Sequence, residues 1–522
     1  MTTSSLYLAS QMLIGEQLRR AAYKTGNQEV FVFKDKRITY KEMEERALHV
    51  AAWLQEEGVK NQEKVGFILR NCSAFVDCFF GAALSGAVAV PINFRLGPDE
   101  LAYIIHNSDT KILVIEKENI DTIQAIKSKI PNVEKILVIG AEDIPLQDMS
   151  HFEEIFKSDV TYTPDEQLTD NDPAVIMYTS GTTGKPKGAV LTHKAICHNA
   201  LNMMYESKTE DNQQSVQLVV TPLFHISVLS GLAGTCMSNS KMVIFREYVP
   251  QDVLETIEKE RITSLFLVPT MWNQLLQLPN LDDYDLSSMK RCTTGGAICP
   301  LEIKKKIMKS FPNAGIYDGF GQTETSSATT MLKPEDSLVK TNSVGKALIN
   351  IEIRVVDEDM NDVPIGEVGE IIYRGPNLLK EYYKLPEETE KAFRGGWFHS
   401  GDLVRQDEEG FVYVVDRKKD MIISGGENIY PAEIEDILYE HPSVYECAVV
   451  GIPDAHWGET VKAFIVLKPG KTATEEEIID FCKSKLASYK KPKEVEFIDE
   501  LPRNASGKIL KRTLREVPAN KK

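Results

Sequence analysis

Along the first four hundred residues, short apolar β-branched runs alternate with segments whose apolar positions recur at helical spacing. The pattern predicts strands over 65–70, 87–92, 111–116, 135–140, 174–179, 218–223, 241–245 and 264–269. It places helices over 73–84, 98–106 and 253–261, and a capping box, Thr39 with Glu42, opens another that runs to Leu54. Strands alternating with helices imply βαβ crossovers, hence parallel sheets covered on both faces. From about Ile351 strands follow one another more closely, at 353–357, 370–374 and 411–416. After Arg417 comes an α+β stretch: strand 421–424, helix 431–441, strands 447–451 and 462–467, helix 475–486 and a Lys-rich tail. The expected fold class is α/β. A large N-terminal domain of parallel-rich sheets with a β-rich subdomain (1–417) precedes a small α+β C-terminal domain (418–522).

Composition narrows the function classes. At 522 residues the chain exceeds one ordinary core, and 42% hydrophobic with 26% charged residues is globular composition. No window approaches eighteen consecutive apolar residues, so no transmembrane segment is expected. The opening residues lack a basic segment leading into an apolar run, and read as an amphipathic helix instead of a secretory signal. Eight cysteines without CxxC spacing suit reduced, buried thiols of a cytoplasmic protein. A net charge of −17 argues against nucleic acid as a partner, so an anionic ligand must be held by local positive groups.

Two segments suit such a ligand. In Tyr178-Thr-Ser-Gly-Thr-Thr-Gly-Lys-Pro-Lys-Gly188, directly after a predicted strand, Gly181, Gly184 and Gly188 let backbone approach an anion closely. The hydroxyls of Thr179, Ser180, Thr182 and Thr183 can donate to phosphate oxygens, and Lys185 and Lys187 add charge. This is not a Walker loop, because Gly181 and Gly184 enclose only two residues and Pro186 stands where a magnesium-binding hydroxyl is required. The second segment is Tyr317-Asp-Gly-Phe-Gly-Gln-Thr-Glu324. Glu324 replaces the third glycine of a dinucleotide fingerprint, so that reading fails; a glutamate beside Thr323 in a loop suits magnesium shared with phosphate.

With Ser400-Gly-Asp402, Asp416-Arg-Lys-Lys-Asp420 and Pro502-Arg-Asn-Ala-Ser-Gly-Lys508, these segments resemble the adenylate-forming superfamily, in order and over residues 31–512. That family includes acyl- and aryl-CoA ligases, peptide-synthetase adenylation domains and firefly-type luciferases. The resemblance implies ATP, Mg2+ and coenzyme A as cofactor and co-substrates, a carboxylic acid as substrate, and a mobile C-terminal domain carrying the catalytic lysine. It makes 179–188 the phosphate loop, with Thr179 also on the metal. Gly295, Gly296, Ala297, Asp318, Gly319, Phe320 and Gly321 become walls around adenine and the acyl chain. Thr323 and Glu324 would hold the α-phosphate and magnesium, Asp402 both ribose hydroxyls with Arg417 assisting, and Lys508 the α-phosphate and acyl oxygen. Lys419 falls at the hinge, and Gly425 and Gly426 line the path of pantetheine. Phe320 departs from the family, which more often has Tyr there; the stacking surface survives and the hydroxyl does not.

His225, in Pro222-Leu-Phe-His, is either a satisfied core histidine or, as the resemblance implies, a border of the acyl entrance with Ser227. Carrier-loading amino-acid enzymes carry an aspartate in an FDxS segment to meet the substrate ammonium, and 222–231 has none. A non-catalytic descendant would not need Glu324, Asp402, Arg417 and Lys508 together. A stand-alone acyl-CoA ligase is therefore expected. The uncharged run 226–232 favours a medium- or long-chain fatty acid, with an aryl or arylalkanoate acid of cinnamate or succinylbenzoate type as the alternative. The sequence leaves open whether the chain forms a homodimer.

Overall fold

A computed structural model describes residues 3–157, 159, 161–179, 185–207, 214–454, 456–503 and 509–516. The chain divides into two compact units, Met1–Ile353 with Tyr373–Phe398, and Arg354–Ile372 with His399–Lys522.

The first unit is built on two sheets. One runs in the order Glu381–Tyr382, Lys187–Thr192, Pro173–Thr179, Val88–Pro91, Lys64–Ile68, Thr110–Glu116, Lys135–Ile139 and Ser150–His151. From Pro173–Thr179 onward its neighbours are parallel, whereas Lys187–Thr192 and Glu381–Tyr382 are antiparallel additions. The central strands are buried along most of their length, as the continuous apolar runs require. The other sheet contains, in order, Ser343–Ala347, Thr330–Leu332, Gly315–Phe320, Arg291–Gly295, Ser264–Leu267, Val216–Val219, Lys241–Ile244, Glu29–Phe33 and Lys36–Thr39. Strand 218–223 was expected to reach Leu223, but the ladder stops at Val219. The buried Asn71 explains the stop: its amide donates to the carbonyls of Thr221 (3.0 Å) and Phe245 (2.9 Å), and accepts from the Leu223 N–H (2.8 Å). The backbone of 221–223 thus satisfies its polar groups on a side chain at the end of the neighbouring sheet.

Helix starts follow the sequence closely. Thr39 and Glu42 close the capping box of Tyr40–Glu56. Proline stands in the first turn of Pro98–Asn107, Pro250–Glu260, Pro269–Leu276, Pro386–Ala392 and Pro431–Tyr439, where its missing N–H costs no helical bond. Helices Pro250–Glu260, Pro269–Leu276 and Leu301–Ser310 contribute to one core, in which the Trp272 and Phe311 rings meet edge-on at 5.8 Å. All eight cysteines are buried thiols without a disulfide.

In the second unit the strands Phe398–Gln406 and Val412–Arg417 form an antiparallel pair. A smaller sheet has the order Glu427–Ile429, Ile422–Ser424, Gly458–Leu467 and Val444–Asp454, with Glu494–Phe497 parallel to Gly458–Leu467. Helices Pro431–Tyr439 and Glu475–Lys483 bury Ile434, Leu438, Ile478 and Cys482 against it. Among the described residues no helix is long and apolar enough to cross a membrane.

Candidate active site

Thr179 ends its strand opposite Lys187, so the two strands deliver both ends of the 179–188 loop side by side. Gly188 is needed at that position: a Cβ there would lie 2.8 Å from the Ile176 side chain. Ser180, Gly181, Thr182, Thr183 and Gly184 lie outside the described residues. The Lys187 ammonium pairs with Glu388 at 2.5 Å and stands 5.4 Å from the centre of the Tyr382 ring. That contact holds the Glu388 carboxyl below its ordinary value.

Tyr382 connects this strand pair to the second motif. Its hydroxyl donates to Glu324 Oε1 at 3.0 Å, and burial, with Glu324 beside it, pushes the phenol well above its ordinary pKa, keeping it a donor. Glu324 is buried in the short turn Thr323–Thr325. The turn is strained: Ser326 has φ 55° and Ser327 φ 123°, conformations that cost on the order of 1–3 kcal/mol each for a non-glycine residue. Buried side-chain amides hold it there. Asn199 donates to the Ala328 carbonyl at 2.8 Å and the Thr325 carbonyl at 3.4 Å, and Asn377 to the same two carbonyls at 3.4 Å and 2.8 Å. Gly321 permits the fold-back, because any Cβ there would stand 2.0 Å from the Ser327 carbonyl oxygen.

Strands Arg291–Gly295 and Gly315–Phe320 run parallel with Gly295 beside Gly319. A Cβ on Gly295 would meet the Gly319 carbonyl at 2.9 Å, whereas one on Gly319 would meet nothing within 4 Å, and Gly296 takes φ 78°. Gly296 and Ala297 are exposed beyond the strand. Asp318 faces the interior, where it pairs at 2.6 Å with the buried Lys304. Burial raises the Asp318 carboxyl and Lys304 opposes that rise.

His225 precedes the helix Ile226–Ser238 and its ring lies 4.6 Å from that of Phe224, which meets Phe94 edge-on at 5.6 Å. The Arg70 and Arg95 guanidinium groups both lie about 5 Å from the Phe94 ring centre, at 5.2 Å and 5.1 Å. Ser227 is exposed at the helix start, and Asn71 secures the strand-to-helix connection ahead of both residues.

The second unit holds Asp402, Arg417, Lys419, Gly425 and Gly426. Asp402 and Arg417 are directly opposed across the antiparallel pair, with guanidinium Nε 3.1 Å from Asp402 Oδ1. The turn before Asp402 hangs on Glu370, which accepts from the Gly401 N–H (3.0 Å) and contacts His399 Nδ1 (3.1 Å). Lys419 follows the strand Val412–Arg417; burial lowers its ammonium, and its carbonyl accepts from Arg515 at 3.4 Å. Gly425 and Gly426 have φ 61° and 88° and form a tight hairpin under Trp457, whose ring lies 2.7 Å from where a Gly425 Cβ would be. Lys508 lies outside the described residues.

Sequence reasoning missed Tyr382, Glu388, Asn199, Asn377, Asn71 and Lys304. Each acts on a partner distant in sequence, and no local pattern marks it; only the polarity of Asn199 and Lys304 within otherwise helical stretches was visible.

The buried oxygens fit a magnesium ion. Glu324 offers a hard carboxylate whose orientation is fixed, and magnesium is commonly held by one or two carboxylates with phosphate oxygens and water completing its shell.

Residues 18–383 match the family described as AMP-binding enzyme, and 433–508 match the AMP-binding enzyme C-terminal domain. A feruloyl-CoA synthase of Amycolatopsis sp is 36% identical over 92% of this chain and 93% of its own length. A long-chain-fatty-acid–CoA ligase of Mycobacterium tuberculosis is 35% identical over 96% and 98%. Among solved structures, the o-succinylbenzoate coenzyme A synthetase of Bacillus subtilis, in complex with ATP and magnesium ion, superposes with a TM-score of 0.84 at 31% identity, covering 96% of this chain and 99% of that one.

Proposed function

The chain belongs to the AMP-binding enzyme family, and we propose from that premise that it is an AMP-forming acyl-CoA ligase acting on a hydrophobic carboxylic acid. In the first half-reaction a substrate carboxylate oxygen attacks the α-phosphorus of ATP, and the bond to the β-phosphate oxygen breaks to release pyrophosphate. In the second the CoA thiol, losing its proton, attacks the acyl carbonyl and AMP leaves. Both partners of the first step are anions, so neutralising and orienting charge is the main catalytic task. The observation that carries the reading is the buried Glu324 carboxylate, tied through Tyr382 to the strand that brings Lys187 beside Thr179.

Thr179, Ser180, Gly181, Thr182, Thr183, Gly184 and Lys187 enclose the phosphates. Glu324 and Thr179 would hold magnesium, which when bound supplies positive charge to the phosphates. Gly296, Ala297 and Asp318–Gly321 border the nucleotide, with Phe320 as its stacking surface; Asp402 and Arg417 take the ribose, and Lys508 reaches the α-phosphate. His225, Ser227, Gly295, Gly296 and Gly321 line the acyl pocket. Residues 418–522 move about Lys419 so that pantetheine enters along Gly425 and Gly426. The buried, unpaired thiols suit a reducing compartment such as the cytoplasm.

A medium- or long-chain fatty acid is the proposed substrate, supported by the uncharged, mostly buried helix Ile226–Ser238. An aryl or arylalkanoate acid is the second reading, supported by the likeness to feruloyl-CoA synthase. A panel of acids from acetate to palmitate, with cinnamate, ferulate and succinylbenzoate, assayed for CoA-dependent AMP release, decides between them. No release with any hydrophobic acid would overturn the proposal.

A further inference from the structure

One stretch of the first unit, residues 377–388, touches both the Glu324 turn and the strand that carries Lys187. Asn377 donates to the carbonyls of Thr325 and Ala328, the Leu379 N–H donates to the Glu324 carbonyl at 2.7 Å, and the Tyr382 hydroxyl donates to Glu324 Oε1 at 3.0 Å. Six residues later Glu388 takes the Lys187 ammonium. Strand Glu381–Tyr382 is registered on the far side of Lys187–Thr192, with Tyr382 beside Ala189, so its position is set by backbone pairing and not by the groups it touches.

We propose that residues 377–388 form a clasp in which Tyr382 is the positioning residue for Glu324, its phenol selecting the carboxylate rotamer that meets a divalent cation. This rests on the assignment of the cation to Glu324. The backbone contacts hold a turn that Ser326 and Ser327 would leave if released, and the phenol then fixes the one remaining freedom, rotation of the Glu324 side chain. A carboxylate free to rotate must be ordered each time a cation binds; one already aligned need not be.

Tyr382→Phe isolates the phenol, because the ring that faces the Lys187 ammonium is kept. The test uses the full chain with Mn2+ as probe, its affinity read by electron paramagnetic resonance in the presence of α,β-methylene-ATP. Removing a group that orients a metal ligand weakens the metal by about 10–100-fold, so Tyr382→Phe should weaken Mn2+ at least tenfold. KM for the acid, and conversion of supplied acyl-adenylate to thioester, should stay at wild-type values. Glu324→Gln is the companion variant. If Glu324→Gln abolishes Mn2+ binding while Tyr382→Phe binds it as tightly as wild type, the clasp is wrong and the metal assignment stands. If Glu324→Gln leaves Mn2+ affinity intact, the cation is held elsewhere and both ideas fall. Should Tyr382→Phe lower acid affinity and thioester formation equally with the metal, the residue is merely structural and the proposal is overturned.

Discussion

The Lys187 ammonium and the Glu388 carboxylate form an ion pair at 2.5 Å across 201 residues of sequence, with Lys187 mostly buried and Glu388 about one-third exposed. The cation proposed above for the phosphates is thus already engaged by an anion of its own chain. Phosphate oxygens bound there would compete with Glu388 for it.

That competition gives a first prediction. Glu388→Gln keeps the side-chain shape and removes the competing charge, so Lys187 becomes available. KM for ATP should fall by roughly three- to tenfold, the range expected when a partly exposed ion pair worth about 1 kcal/mol is released. Steady-state pyrophosphate release at varied ATP measures it. A rise in KM would mean that Glu388 aims Lys187 at the phosphates instead of withholding it.

Gly321 has no room for a side chain, with the Ser327 carbonyl 2.0 Å from the Cβ position. Gly321→Ala should force the 321–328 turn apart and cost about 3 kcal/mol or more, the upper range for overpacking. Adenylation should be lost along with the displaced Glu324. Thermal denaturation together with single-turnover pyrophosphate release checks both effects; wild-type activity and stability would show that the turn is not needed.

Glu260 bonds to both Arg37 and Lys241, at 2.8 Å and 3.1 Å, and the Arg37 hydrogen bond holds its carboxyl down at about 2. A folded-state pKa below the unfolded 4.5 means stability that is complete above 4.5 and lost as pH falls toward 2. Glu260→Gln should cost about 1 kcal/mol at pH 7, discounted because Arg37 is partly in solvent. The gap to wild type should close as pH falls from 5 to 2. Denaturation midpoints across that range test it, and a gap that widens toward low pH would contradict the assignment.

Lys508 should be needed only to form the adenylate. Lys508→Ala should lower pyrophosphate release by about 10²–10³, the scale of one lost transition-state donor, and leave thioester formation from supplied acyl-adenylate unchanged. Equal losses in both half-reactions with an intact fold would remove Lys508 from this role.

Lys419 tests the domain swing. Among the described residues no backbone hydrogen bond of the Lys419 N–H is seen, and proline there acts chiefly by fixing φ near −65°. Lys419→Pro should keep pyrophosphate release and lose most acyl-CoA formation, whereas Lys419→Ala should be nearly silent. Acyl-CoA made by Lys419→Pro at the wild-type rate would place the hinge elsewhere.

The sequence by itself determined what depends on neighbours along the chain. The capping box at Thr39 and Glu42, the prolines that open helices, and the apolar runs of the buried strands are local patterns, and the structure follows them. The ordered motifs around Thr179, Glu324 and Asp402 were legible for the same reason, since their spacing is short and their residue types dense. The tertiary structure alone decided which side chains support these motifs. Tyr382 reaches Glu324 across 58 residues, Asn199 reaches Ala328 across 129, and Asn71 ends the strand at Val219 by bonding backbone 150 residues away. A hydrogen bond between distant residues leaves no periodicity in either segment, because what selects the partner is a buried donor or acceptor that only the packed fold creates.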